Sequence, residues 1–423
     1  MTQQSSDWDA DAQVKRILDS LQVTPESLLD FDQSVARDAV STILPDLTRP
    51  TKLSWPLFTW LWRINLDTFN LRLQAMLSAP LGGWISYCYI MKSKGNFVHL
   101  RATGWAQLPN DGSVGWGYHV PMNVASVSKF VTAIASDRLL RSLNILLTRP
   151  IASFLPQYWT TGTGVGAITF HDLLRHESGL GGSLNTGGVP NTNSGPGDFA
   201  TAKDQIKRGS TGTGTYDYKN TNFAILRVLF ATLTGTLDRA YKVPSFLGVS
   251  NDVFWDFASA TAYRNYVNDA VFVPASIAGP REFKADDIAA KAYGTPAVAP
   301  GSRVENDIAS AGASGWHLSV GELTRLLGEF RRGGSIMAPW RAERLLSHRY
   351  GLDPEIATKA GPVYRKGGRW FSAGETMDSA IYLMPNDLEF TIFVNSGPGT
   401  TPTAPSYLDG IPGAIQDSIE FIF

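Results

Sequence analysis

The chain has 423 residues, enough to bury a large core as one big domain or as two interleaved lobes. Hydrophobic residues make up 43% and charged residues 18%, with a formal net charge of −1, so nothing in the bulk draws it to nucleic acid or an anionic membrane. The single cysteine, Cys88, excludes an intramolecular disulfide and a cysteine-built zinc site.

The N-terminal stretch MTQQSSDWDADAQVKRILDS is acidic and polar and lacks the apolar region of a secretory signal, which predicts a cytoplasmic protein. No run reaches the 18 apolar residues of a membrane span. Residues 11–45 read as helical, with Thr24 and Pro25 as N-cap and first-turn pair. The tryptophan-rich segment 53–66 is short and broken by Arg63, which suits a packed helix or lobe-capping segment rather than a membrane-surface anchor. From 82 to 107 the pattern becomes two strands joined at KSKGN, with Cys88 as a packed thiol. Helical periodicity returns over 126–147, with Phe130, Val131, Ile134, Leu139, Leu140 and Leu143 on a buried face.

Another helix starts at Thr169, with Asp172 closing a capping box. Residues 178–217 are rich in Gly, Thr, Ser and Asn, with a helix in GDFATAKDQIKRG. Further helices fall at 220–234 and 318–331, the latter opened by Ser319 and Glu322. SAIYLMPNDLEFTIFVNSG reads as a hairpin turning at Pro385-Asn386-Asp387. The final helix is expected to carry Ile411, Ile415, Ile419 and Phe423 on one face. Strands at both ends around a helical middle predict an α+β protein: a mostly antiparallel sheet flanked by helices, with a helical lobe inserted. The expected parts are an N-terminal helical extension at 1–81, a sheet lobe from 82–125 and 312–423, and a helical lobe at 126–311.

Chemistry begins at VASVSKFV. Ser126 stands three residues before Lys129, so on a helix the amine reaches the serine hydroxyl, whereas Ser128 points about 100° away and is the poorer nucleophile. Free N–H groups and the positive dipole end at the helix start favour a developing oxyanion. To act as a base the lysine must fall by roughly 3 pKa units, about 4 kcal/mol, which burial and a second cation supply. Tyr218-Lys219-Asn220 opens a later helix, where a phenol can relay a proton and an amide can hold a substrate carbonyl. Lys366-Gly367-Gly368 precedes a strand pair; the lysine can be the second cation, and the glycines let a substrate backbone lie against the strand edge.

Ser-x-x-Lys, Tyr-x-Asn and Lys-x-Gly, in this order, resemble the penicillin-recognising serine hydrolases, in the branch of class C β-lactamases, family VIII carboxylesterases and D-aminopeptidases. ITFHDLLRHESGL, TYDYKNTNFAIL and ASGWHLSVGELTRLL are similar to stretches of that family, and the resemblance runs over roughly 82–423. It implies a β-lactamase/transpeptidase-like fold and no cofactor. It also implies Ser126 as acylated nucleophile, Lys129 as general base, Tyr218 sharing the base and leaving-group acid roles, and Asn220 orienting the substrate. Lys366 would bias the amine and phenol electrostatically, and the backbone N–H groups of Ser126 and Arg369 would form the oxyanion hole.

The third box departs from the β-lactamase pattern: Gly367 stands where those enzymes carry a threonine, so a hydroxyl for a β-lactam carboxylate is missing. A shifted register would put Arg365 in the cation position instead of Lys366. His171 and His176, five apart on one helix, are poorly spaced for a metal and read as capping or packing residues. TGTGVG lacks a Rossmann strand before it, and no Gly-x-Ser-x-Gly elbow is present. The expectation is a serine hydrolase on a small-molecule ester or amide, foremost a carboxylesterase on small or medium acyl esters. The alternatives are a β-lactamase or D-amino-acid amidase or peptidase, an acyltransferase or transesterase, and a non-catalytic penicillin-binding-like protein on the same scaffold.

Overall fold

Strand-forming runs at both ends of the chain fold together, with the helical middle between them. The computed structural model describes residues 62–78, 86–181, 197–279, 281–303, 305–372, 374–397 and 406–421. The chain runs through β1 (Trp62–Ile64), α1 (Leu66–Ser78), β2 (Tyr87–Ser93), β3 (Asn96–Thr103), β4 (Trp105–Gln107), β5 (Val114–Gly115) and β6 (Pro121–Asn123). The helical part holds α2 (Ser128–Ser142), α3 (Phe170–Leu174), α4 (Phe199–Arg208), α5 (Asn220–Leu233) and α6 (Asn251–Val267). Then follow β7 (His317–Ser319), α7 (Val320–Gly328), α8 (Pro339–Ser347), β8 (Ile356–Thr358), β9 (Gly361–Ser372), β10 (Glu375–Met384) and β11 (Leu388–Val394). The last described elements are α9 (Ile411–Gln416) and β12 (Ile419–Phe421).

The main sheet has six strands in the order β3-β2-β11-β10-β9-β8, each antiparallel to its neighbours. The two ends of the chain meet where β11 pairs with β2, Phe390 opposite Met91 and Ile392 opposite Tyr89. Side chains alternate across a sheet, and both faces of β2, β10 and β11 are covered, while the edge strand β3 is largely exposed. Cys88, Ile90, Ile381, Leu383 and Phe393 face the core shared with the helices. Tyr89, Met91, Tyr382, Phe390 and Ile392 face the opposite way, onto Phe69 and Leu73 of α1 and Ile411 and Ile415 of α9. Double burial explains why these strands read as nearly unbroken apolar runs. It also pushes the Cys88 thiol up to about 12, leaving an inert packed group.

The β10–β11 turn falls at Pro385–Asp387, with Asn386 and Asp387 at φ of 59° and 60°, a region these two residue types tolerate. Both capping boxes form: the Thr169 hydroxyl accepts from the Asp172 N–H and the Ser319 hydroxyl from the Glu322 N–H. α2 starts at Ser128, after a 3-10 turn over Ala125–Val127, and is buried nearly all round, while Leu143 at its end is exposed.

The C-terminal helix is shorter than its isoleucine spacing predicts. It ends at Gln416, and Ile419–Phe421 pairs with Trp62–Ile64 as a strand. The Asn65 N–H donates to the Ser418 carbonyl (2.8 Å), and Arg63 pairs with Glu420 (2.5 Å). Strand pairing of a β-branched and an aromatic residue wins over a helical pattern there. Phe423, residues 11–45, 53–61 of the tryptophan-rich segment and 182–196 of the glycine-rich one lie outside the described residues. Of the tryptophan-rich segment, 62–64 form a strand and not a helix.

Candidate active site

Ser126 sits on the tight turn between β6 and α2. Its neighbour Ala125 is at φ 43°, a left-handed conformation that costs an L residue of order 1–3 kcal/mol. The turn is held by the Asn123 side-chain oxygen, which accepts from the Ala125 N–H (2.8 Å), and by a Val127 N–H to Val124 carbonyl bond (3.0 Å). It lies directly against β9. A Cβ added to Gly368 would stand 2.4 Å from the Val124 oxygen and 2.9 Å from the Ser126 nitrogen. Glycine is therefore required at 368 by the protein's own backbone, before any substrate is considered.

Lys129, fully buried on the first turn of α2, places its Nζ 2.9 Å from Ser126 Oγ, 2.8 Å from Asn220 Oδ1 and 2.7 Å from the Ala313 carbonyl. Burial lowers its pKa to about 8, assisted by the Lys366 ammonium and opposed by Tyr218. The Asn220 and Ala313 oxygens can only accept hydrogen bonds. Once the amine is neutral, its two hydrogens go to them and its lone pair is left facing the Ser126 hydroxyl. Ser128 points elsewhere: its buried Oγ accepts from the Trp316 N–H (3.3 Å) in the core.

Tyr218 approaches from the other side. Its hydroxyl donates to Ser126 Oγ at 2.8 Å and receives the Lys366 ammonium at 3.5 Å. Burial would raise its pKa, but Lys129 and Lys366 outweigh that and bring it below the ordinary tyrosine value. The two amines lie 5.1 and 4.5 Å from the ring centroid. Beneath the ring lies His176, tilted by 30° with centroids 4.4 Å apart, its Nδ1 accepting from the Lys219 N–H at 3.1 Å. Burial first, then Lys366 and Lys129, holds this imidazole neutral. His176 lies beyond the end of α3, at φ 59°, so the two histidines do not share a helix; His171 meets the Tyr350 hydroxyl instead (2.7 Å).

Strand alternation sends neighbouring residues of the third box to opposite faces of β9. Lys366 faces Tyr218, while Arg365 faces the back of the sheet beside Tyr382, Leu408 and Asp409. The Arg369 side chain is also on the back, bound to Asp378 (2.7 and 3.1 Å). By the same alternation its N–H shares a strand edge with that of Gly367. On that edge sits Asp353. One of its carboxylate oxygens is 2.5 Å from Lys366 Nζ and the other accepts from the Gly367 N–H at 2.9 Å. Burial opposes the charge on both partners, but Lys366 and then Arg365 keep the Asp353 carboxyl below its ordinary value, and Asp353 and then Tyr218 keep Lys366 above its own.

The structure thus brings Ser126, Lys129, Tyr218, Asn220 and Lys366 into one hydrogen-bonded cluster, with Gly367, Gly368 and Arg369 on the strand beside it. Sequence reasoning missed Asp353, the Ala313 carbonyl and the place of His176 under Tyr218. A lone aspartate before a strand and a main-chain oxygen carry no signal in composition or spacing. The histidine could have been found, since HESGL lies within a stretch that resembles the family. Among the described residues no group of side chains is suited to hold a metal ion, and no helix is long and apolar enough to cross a membrane.

A serine next to a buried, neutralisable amine, set between an antiparallel sheet and a helical lobe, defines a serine hydrolase of the β-lactamase/transpeptidase fold. The family model described as Beta-lactamase matches residues 93–403, and the chain belongs to that family. Among solved structures it is similar to FmtA from Staphylococcus aureus, at 15% identity over 94% of this chain and 97% of that one, TM-score 0.56. It is also similar to a beta-lactamase/D-alanine carboxypeptidase from Yersinia pestis (14%, 82% and 98%, TM-score 0.55). A third is the D-amino acid amidase from Ochrobactrum anthropi SV3 (14%, 83% and 97%, TM-score 0.55). At these identities the likeness is one of fold. No curated protein matches the sequence.

Proposed function

We propose that this protein is a carboxylesterase that forms an acyl-enzyme at Ser126 and acts on small or medium acyl esters. The observation that carries the reading is the pair of contacts on Ser126 Oγ, Lys129 Nζ at 2.9 Å and the Tyr218 hydroxyl at 2.8 Å. Neutral Lys129 takes the Ser126 proton as Oγ bonds to the ester carbonyl carbon. The negative charge that develops on the carbonyl oxygen is met by the N–H groups of Ser126 and Arg369. As the tetrahedral centre collapses, the C–O bond to the alcohol breaks and Tyr218 gives the leaving oxygen its proton. The phenol is then reprotonated from Lys129, restoring the free amine. Water repeats the sequence on the acyl-enzyme and releases the acid. Asn220 orients the acyl part, and Lys366 favours the neutral amine and an acidic phenol. Gly367 contributes no hydroxyl for a substrate carboxylate, which supports an ester over a β-lactam.

The neutral amine is the working form and its pKa is about 8, so kcat/KM for an ester should climb as pH rises through about 8 and level off above it. A pH–rate profile at constant ionic strength checks this; a profile flat from pH 6 to 9 would remove Lys129 from the role of base.

A substrate panel tests the reading itself. A short-chain p-nitrophenyl ester, a chromogenic cephalosporin and a D-amino-acid anilide are assayed with one enzyme preparation. The ester should be turned over with the highest kcat/KM. A preference for the cephalosporin or the anilide would replace the esterase reading with that of a β-lactamase or an amidase. Product partitioning with added alcohol would reveal transfer to an acceptor other than water.

A further inference from the structure

Asp353 moves no proton in the acyl-transfer steps above, although its charge opposes the effect of Lys366 on Lys129 and Tyr218, and it is firmly anchored in the site. Its own N–H donates to the Arg365 carbonyl (3.0 Å) and its carboxylate accepts from the Gly367 N–H (2.9 Å), so main chain and side chain together bind it along the edge of β9. The remaining carboxylate oxygen lies 2.5 Å from Lys366 Nζ, and both side chains are buried. Lys366 is one hydrogen bond from the Tyr218 hydroxyl, which is one hydrogen bond from the attacking oxygen. A lone ammonium at that place would attract an anionic group on the substrate; an ammonium fixed against a carboxylate does not.

Other cations near the site do not replace it. Arg365 also acts on the Asp353 carboxylate, but its side chain lies with that of Arg369 on the back of the sheet beside Tyr382 and Asp409, and Lys219 is paired with Asp217 at 2.6 Å. His176 is neutral, and Lys129 works as the free amine.

We propose that Asp353 is a specificity-determining residue: by neutralising Lys366 it makes the acyl site select substrates without a negative charge near the scissile carbonyl. The proposal rests on the reading of Ser126 as the acylated nucleophile of an esterase.

The test is a matched pair of esters, methyl p-nitrophenyl adipate and mono-p-nitrophenyl adipate, which differ by one charge. Wild type should favour the uncharged diester in kcat/KM by about tenfold or more, and Asp353→Asn should narrow or invert that ratio by about tenfold, since one member of a close charge pair is lost. Asparagine keeps the shape and one acceptor, so the variant should still cleave the diester. An unchanged ratio in Asp353→Asn, equal use of both esters by wild type, or equal loss on both in the variant overturns the proposal. If wild type cleaves neither ester, the esterase reading fails and takes this one with it, an outcome distinct from a wild type that turns over the diester at an unaltered ratio. Should the variant not fold, inhibition of wild type by 3-carboxyphenylboronic acid and by its methyl ester decides. Weaker inhibition by the charged compound supports the proposal, and equal or stronger inhibition overturns it.

Discussion

Ser126→Ala is expected to lower kcat/KM by about 10⁴-fold or more, because in the proposed route attack through Oγ is the step every later one depends on. The substitution removes one oxygen from a buried turn whose backbone is held independently by Asn123 and Val124, so thermal stability should stay near that of wild type. Lys129 keeps its Asn220 and Ala313 acceptors in this variant. Steady-state kinetics with a thermal melt on the same preparation separates lost chemistry from lost fold. A variant that retains a tenth of wild-type activity would exclude Ser126 as nucleophile.

Lys129→Ala should cost nearly as much, about 10³- to 10⁴-fold, since nucleophile and base act as one unit. Lys129→Arg should be equally inactive: a guanidinium stays protonated at every usable pH, and its planar fork does not fit three acceptors arranged around a single nitrogen. The effect on stability is set by opposing terms. Loss of the amine leaves the Asn220 and Ala313 oxygens without this donor, a cost of about 1–3 kcal/mol for each if unmet, and it removes an ionisable group from a fully buried place. Restoration of activity in the arginine variant would show that the group acts by its charge and not as a base.

Much of this fold is legible in the sequence because its strands and helices carry strong local signals. The KSKGN and Pro385-Asn386-Asp387 turns, and the capping boxes at Thr169 and Ser319, sit where turn chemistry and side-chain caps require them. The C-terminus departs from its helical pattern because Ile415 and Ile419 satisfy a helical spacing while their partners, Ile411 on one side and Ile64 on the other, belong to different elements. At the site, Ser126, Lys129, Tyr218 and Asn220 stand in short motifs whose order carries the resemblance to the family. The choice between Arg365 and Lys366 needed the strand's facing, which depends on the pairing of β9 with β10. Asp353 and the Ala313 carbonyl reach the site only through tertiary folding, so no window of sequence displays them.

The most direct measurement is the mass of the intact protein after reaction with a fluorophosphonate, followed by peptide mapping. A single adduct is expected, located on Ser126, absent from Ser126→Ala and retained in Ser128→Ala. An adduct on Ser128 or Tyr218, or an unmodified protein, would contradict it.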